Sequence, residues 1–198
     1  LAADAIHKDD PDFKLIYGCE AYFVDDMIPA VYGGAQMPLA GSFVVFDTET
    51  TGLDPNNDRL TEIGAVFVEN GKINADKKFC TFVDPGMPIP PRVVELTGIN
   101  DAMVAGAPQP EEAIRAFKEF CGDHVLVAHN AHSFDMLFIR SAGARAGVSF
   151  DENTYIDTLP MGQALFPGLR NYKLDTINKH LEIPPFNHHR AVDDAMAL

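Results

Sequence analysis

Phe43-Val44-Val45-Phe46-Asp47-Thr48-Glu49-Thr50-Thr51-Gly52 is the stretch that decides the fold of this chain. An apolar run ends abruptly in two carboxylates at i and i+2, and a threonine-rich turn with a glycine follows. Side chains two apart along a strand point to the same face, so Asp47 and Glu49 lie side by side. Two carboxylates held that close repel, and burying them is costly unless a cation joins them. The arrangement predicts a hard divalent metal, and a metal there points to phosphate chemistry. The plainer alternative is a strand end whose acids simply meet solvent.

The pattern around this stretch is regular. A strand at 43–47 is followed by a second at 60–68, whose alternation puts Ile63, Ala65 and Phe67 on one face. Asn70-Gly71 signals a tight hairpin, with the return strand at 77–83. The proline-rich run 85–91 reads as a rigid loop. Ala113, Ile114, Phe117 and Phe120 make a helical stripe over 110–120, with Glu111 and Glu112 in its first turn. A short buried strand at 124–128 and a helix at 134–146 come next, then a short strand at 155–157. Helices follow at 159–166 and 174–181, and a last one opens near Ala191 and is cut off at Leu198. A meander of three antiparallel strands followed by alternating helices and strands implies an α/β fold with a mixed sheet.

Composition narrows the function. The formal net charge of −14 argues against gripping duplex nucleic acid by charge alone, and suggests that a neighbouring domain or partner holds any nucleic-acid substrate. No apolar stretch approaches the roughly 20 residues that span a membrane, and no signal peptide is visible, so a cytoplasmic protein is expected. Cys19, Cys80 and Cys121 are far apart and odd in number, which predicts reduced core thiols rather than disulfides or a zinc site. Residues 1–41 differ from the rest: 15–24 is strand-like, broken by Gly18, and Gly33-Gly34 and Pro38 read as a linker. That piece is too short for its own core, and the chain begins at Leu1, so it is expected to derive from a larger domain.

Two further stretches carry chemistry. Leu126-Val127-Ala128-His129-Asn130 again delivers polar residues at the end of an apolar strand, and Phe134-Asp135 follows. Asp135 opens a helix, where a carboxylate is also favoured by capping and the helix dipole, and His129 has the alternative of a core hydrogen bond. In His188-His189-Arg190-Ala191-Val192-Asp193-Asp194, an imidazole stands five residues ahead of an acid. The acids have the alternative of pairing with the helix dipole, but an imidazole can take a proton from an attacking water near neutral pH. Together the three stretches supply four carboxylates and a histidine, an inventory suited to two hard cations about 4 Å apart, Mg²⁺ or Mn²⁺ rather than zinc.

The three motifs resemble those of the DEDDh, or DnaQ-like, 3′→5′ exonucleases. D-x-E-T-T-G is matched by Asp47–Gly52, H-N-A-x-F-D by His129-Asn130-Ala131 with Phe134-Asp135, and H-x-A-x-x-D by His189-Arg190-Ala191 with Asp194. Glu95-Leu96-Thr97-Gly98-Ile99 is similar to a segment of the DNA-proofreading branch. Residues 17–29 resemble the segment ahead of the exonuclease in PolC-type DNA polymerase III alpha subunits, where a polymerase-and-histidinol-phosphatase (PHP) domain surrounds it. Glu20 matches a metal-ligand position of such domains, without its partners here.

The resemblance implies a ribonuclease H-like mixed five-stranded sheet, with strands 1-2-3 antiparallel and 1-4-5 parallel. It implies a PHP-derived fragment over 1–41 and the exonuclease domain over 42–198. Asp47, Glu49, Asp135 and Asp194 would hold two Mg²⁺ or Mn²⁺, with His189 as general base. Thr51 and Leu53 would contact the terminal nucleotide, with Thr48, Thr50, His129, Asn130 and Phe134 also lining the substrate. The implied reaction is proofreading release of nucleoside 5′-monophosphates from a single-stranded 3′ DNA end. The implied partners are that DNA, the rest of the polymerase chain and replisome subunits. RNA as substrate, as in oligoribonuclease-like relatives, and an inert architectural module are the alternatives; the PolC-like start favours DNA. Ala131-His132-Ser133 is one residue longer than the family pattern, which predicts a longer loop that leaves Phe134-Asp135 in register.

Overall fold

The computed structural model describes residues 28–34, 38, 41–184 and 190–198. In chain order the elements are β1 (Val31–Tyr32), β2 (Ser42–Thr50), β3 (Leu60–Glu69), β4 (Lys72–Phe82), α1 (Pro91–Thr97), α2 (Asp101–Val104), α3 (Pro110–Cys121), β5 (Val125–Ala128), α4 (Asp135–Ala146), β6 (Tyr155–Asp157), α5 (Thr158–Leu165), α6 (Leu174–His180) and α7 (Ala191–Ala197). The described strands form one sheet in the order β1-β6-β5-β2-β3-β4. β2, β3 and β4 are antiparallel, while β2, β5 and β6 are parallel, which is the five-stranded arrangement the motifs imply.

A sixth strand is a correction. The segment read as a linker contributes Val31 and Tyr32, which pair antiparallel with Ile156 and Tyr155 at the edge of β6. The Asp157 N–H also donates to the Ala30 carbonyl at 2.8 Å, so the edge of β6 is covered rather than open. The strand-like run 15–24 and Glu20 lie outside the described residues.

The hairpin forms as expected, with Asn70 and Gly71 both in the left-handed region (φ 54° and 72°) that matches strand twist. β4 starts at Lys72, earlier than read, because a bulge opposite Val66/Phe67 absorbs residues 75–77 and breaks the alternation there. The proline-rich loop also ends sooner than expected. Pro91 is the first residue of α1, where its missing N–H costs no helical bond. The Asn100 side chain then accepts from the N–H groups of Ala102 and Met103, at 3.0 and 3.2 Å, to start α2. Both helices cover a small cluster of Ile89, Val93, Ile99 and Val104.

Both faces of the central sheet are covered. On one, Val44, Phe46, Ile63, Ala65 and Leu126 join Phe117, Phe138 and Phe150 in the main core under α3 and α4. On the other, α7 lies across β2 and β3. Close approach there requires Gly64: a Cβ at that position would overlap backbone atoms of Ala191 and Val192. Burial on both faces explains why β3 is buried at nearly every position instead of alternating. Of the cysteines, Cys121 is in the core, Cys80 is exposed on β4, contrary to expectation, and Cys19 is outside the described residues. Among the described residues, no helix is long and apolar enough to cross a membrane.

Candidate active site

Strand parity places the first two acids. Val44, Phe46 and Thr48 point toward the main core, so Val45, Asp47 and Glu49 point toward α7. Across the ladder Asp47 faces Gly64, and Glu49 faces Glu62. α7 brings Asp194 down onto them from its first turn. Ligand oxygens of Asp47, Glu49 and Asp194 all lie within 4.8 Å of one another.

Asp135 reaches the same region from the other edge of β2. β5 accompanies β2 only as far as Val45, so beyond it that edge has no strand beside it. The Thr48 N–H and hydroxyl there donate to Asp135 Oδ1 at 3.0 and 2.7 Å. Asp135 is buried, and its charge acts on Asp47 more strongly than that of any other acid. It is not one of the three mutually close acids.

The lengthened loop closes into a turn instead of displacing Asp135. Asn130 adopts φ 59°, and its carbonyl accepts from the Ser133 and Phe134 N–H groups. The His132 N–H donates to Asp157 Oδ2 at 2.9 Å. The His132 ring shares a 2.7 Å hydrogen bond with the Tyr155 hydroxyl and stacks on Tyr32 with centroids 4.2 Å apart. His132, in the loop that is one residue longer than the motif, therefore ties the second motif to β6 and β1.

Burial and mutual repulsion dominate the electrostatics. Asp47 is held well above the usual carboxylate range, first by burial and then by Asp135, Glu49, Asp194 and Glu62. Glu49 is pushed up to about 8 by burial, Asp194, Glu62 and Asp135, with Arg190 opposing. Asp135 is pushed up to about 7 by burial, against its hydrogen bonds from Thr48. Such a set ionises together only with a cation among its members. The donors are carboxylate oxygens, which fit Mg²⁺ or Mn²⁺.

The remaining motif residues are placed as follows. Thr48, Thr50 and Thr51 are buried, and their hydroxyls engage the protein itself. Thr50 donates to the Gly52 carbonyl at 2.5 Å, while Thr51 donates to Asp58 at 3.1 Å and accepts from the Arg59 N–H at 3.0 Å. Leu53, on the turn they brace, is 74% exposed. His129 Nδ1 lies 2.9 Å from the Thr158 hydroxyl, and burial pulls its pKa down, which favours the neutral ring. Phe134 packs on Phe138. His189 lies outside the described residues.

Sequence reasoning missed Glu62. It is fully buried on β3, and its carboxylate accepts from Arg190 Nη2 at 2.9 Å, Arg190 Nε at 3.3 Å and the Ala191 N–H at 3.1 Å. The available signal was an acid inside a run otherwise read as core strand.

A mixed sheet with acids gathered where the parallel strands end defines the ribonuclease H-like α/β fold. Within it, the chain belongs to the exonuclease family, whose profile matches residues 44–198. Over 184 residues it is 50% identical to the PolC-type DNA polymerase III of Caldanaerobacter subterraneus subsp. tengcongensis. It is 46% identical over 185 residues to that of Halalkalibacterium halodurans, and 44% over 186 to that of Bacillus subtilis. Each alignment covers 93% of this chain and 13% of the relative, so the chain spans a small part of those polymerases. Among solved structures, the zinc-bound complex of E. coli exonuclease I with single-stranded DNA superimposes with a TM-score of 0.70 at 20% identity, covering 79% of this chain and 38% of that one. The metal-free form of that complex gives 0.67 at 20% identity, with the same coverage. These two show the fold.

Proposed function

We propose that this chain is the metal-dependent 3′→5′ exonuclease of a replicative DNA polymerase, which proofreads by releasing nucleoside 5′-monophosphates from single-stranded 3′ ends. The observation that carries the reading is the convergence of Asp47, Glu49 and Asp194 at a largely buried strand end, with Asp135 beside them. The exonuclease family and the PolC-type relatives support it.

Asp47, Glu49 and Asp194, with Asp135, would hold two Mg²⁺ or Mn²⁺. Such ions neutralise charge developing on the phosphate and acidify the attacking water. His189 would accept that water's proton, as its position ahead of Asp194 in the motif suggests. Leu53, held out by the braced turn of Thr50 and Thr51, offers an apolar surface to the terminal base. His129, Asn130 and Phe134 would line the other side of the 3′ nucleotide, and Thr48 would keep Asp135 oriented. The net charge of −14 suits a domain whose DNA is delivered by the rest of a polymerase chain in a cytoplasmic replisome. A PHP-derived segment ahead of residue 42 belongs to the same proposal.

The test is cleavage of 3′-labelled single-stranded DNA with Mg²⁺ or Mn²⁺, beside an RNA of the same sequence. Stepwise loss of the label as nucleoside 5′-monophosphate, faster on DNA and abolished by Asp47→Ala, is expected. Intact DNA at all metal concentrations would overturn the reading.

A further inference from the structure

Glu62 needs an explanation that burial alone does not supply. It stands directly across the ladder from Glu49, where it adds a negative charge to a crowded group of acids. A buried ion pair is a weak source of stability, because desolvating both partners offsets most of their attraction. The pairing does have direction. The Arg190 guanidinium meets both oxygens of Glu62 as a fork, and its Cζ lies 5.3 Å from the centroid of the Phe82 ring. One Glu62 oxygen also takes the N–H of Ala191, the first residue of α7. The Arg190 N–H then donates to Asp194 Oδ2 at 3.2 Å. In the chain, His189 is one peptide bond before Arg190.

We infer that Glu62 is a positioning residue: through Arg190 it fixes the start of α7, and with it the place of Asp194 among the acids. Gly64 sets how closely α7 approaches the sheet, and the Glu62–Arg190 fork sets where along the sheet its first turn stands. The same fork sets a guanidinium against Glu62, which offsets part of the charge that Glu62 presents to Glu49. The inference rests on the exonuclease reading for its kinetic consequence but not for its effect on metal affinity.

The test compares Glu62→Gln, Arg190→Met and the double variant. Glu62→Gln keeps the shape and one acceptor for the Ala191 N–H while removing the charge. Outer partners of metal ligands are worth roughly 10- to 100-fold in affinity or activity, so kcat on single-stranded DNA should fall by that much with KM unchanged. Mn²⁺ titration should show a dissociation constant raised by about tenfold in a variant whose circular dichroism matches the wild type. The double variant should be no slower than the slower single variant, because both changes remove one device.

Wild-type kcat and Mn²⁺ affinity in Glu62→Gln would overturn the inference, as would losses that multiply in the double variant or a change confined to Tm. Where Arg190→Met fails to fold because Glu62 is left unpaired, Glu62→Gln and the double variant carry the comparison. A wild-type chain that binds Mn²⁺ without cutting DNA would refute the exonuclease reading, and the Mn²⁺ titrations would still decide the role of Glu62.

Discussion

Gly64→Ala tests the geometry of the whole site with one methyl group. Gly64 faces Asp47 across the ladder, under the first turn of α7. An added Cβ would overlap the Val192 nitrogen and the Ala191 carbonyl carbon and lie 2.6 Å from Val192 Cα. All three are backbone atoms, so no side chain can turn aside, and restoring ordinary contact requires α7 to retreat by more than ~1 Å. The main core lies on the opposite face and does not include α7, so the sheet should stay folded. Asp194 moves with α7 and leaves Asp47 and Glu49. A displacement of about 1 Å in a catalytic group costs on the order of 10²-fold in rate, or about 2.7 kcal/mol of barrier. The assay is single-turnover cleavage of 3′-labelled DNA with saturating Mg²⁺, beside circular dichroism melts and Mn²⁺ titration. A folded Gly64→Ala protein cleaving at nearly the wild-type rate would refute the claim that α7 must sit this close.

Other outcomes follow from the same geometry. Folding without metal takes up a proton at Glu49, whose folded pKa of about 8 lies above its unfolded value near 4.3. Stability in EDTA is therefore highest below that unfolded value and falls as pH rises toward 8, while Mn²⁺ should restore it most at pH 8; equal Tm in EDTA across this range would contradict the burial argument. Thr48→Val removes the 2.7 Å hydroxyl bond to Asp135. A hydrogen bond to a charged group is worth about 1.5–3 kcal/mol, so Tm should drop by roughly 3–12 °C, and an unchanged melt would mean that Asp135 is held by other contacts. Tyr32→Ala removes two stacked ring pairs, to His132 and Tyr155, worth about 0.5–1.5 kcal/mol each. Amide exchange at Asp157, bonded to Ala30, should accelerate while cleavage of DNA stays the same. Unchanged exchange would show that β1 holds without the stack.

What could be read from the chain were features written in local pattern. Parity alone puts Asp47 and Glu49 on one face, and the structure keeps them there. Asn70-Gly71 announces its own turn. Features that depend on distant pairing were not legible. β1 is two residues long, too short for any period to register, and it exists because β6 has an edge to cover. α1 begins on a proline and spans seven residues, so a loop reading was natural. The bulge at 75–77 hides the first half of β4 because the alternation changes phase there.

Glu62 shows the deeper reason for the gap. In sequence it is one acid inside an apolar strand, and its meaning lies 128 residues away at Arg190. The register of the β2–β3 ladder decides that it faces Glu49, and the packing of α7 decides that its charge is met by a guanidinium. The identity of the four acids is thus a local property of three motifs, while their spacing in the fold is a property of the pairing between strands and the last helix. A chain can carry all three motifs and still lack the site if a methyl at position 64 lifts α7 or if position 62 no longer meets Arg190. The acids name the chemistry, and the two residues that hold α7 against the sheet decide whether those acids meet.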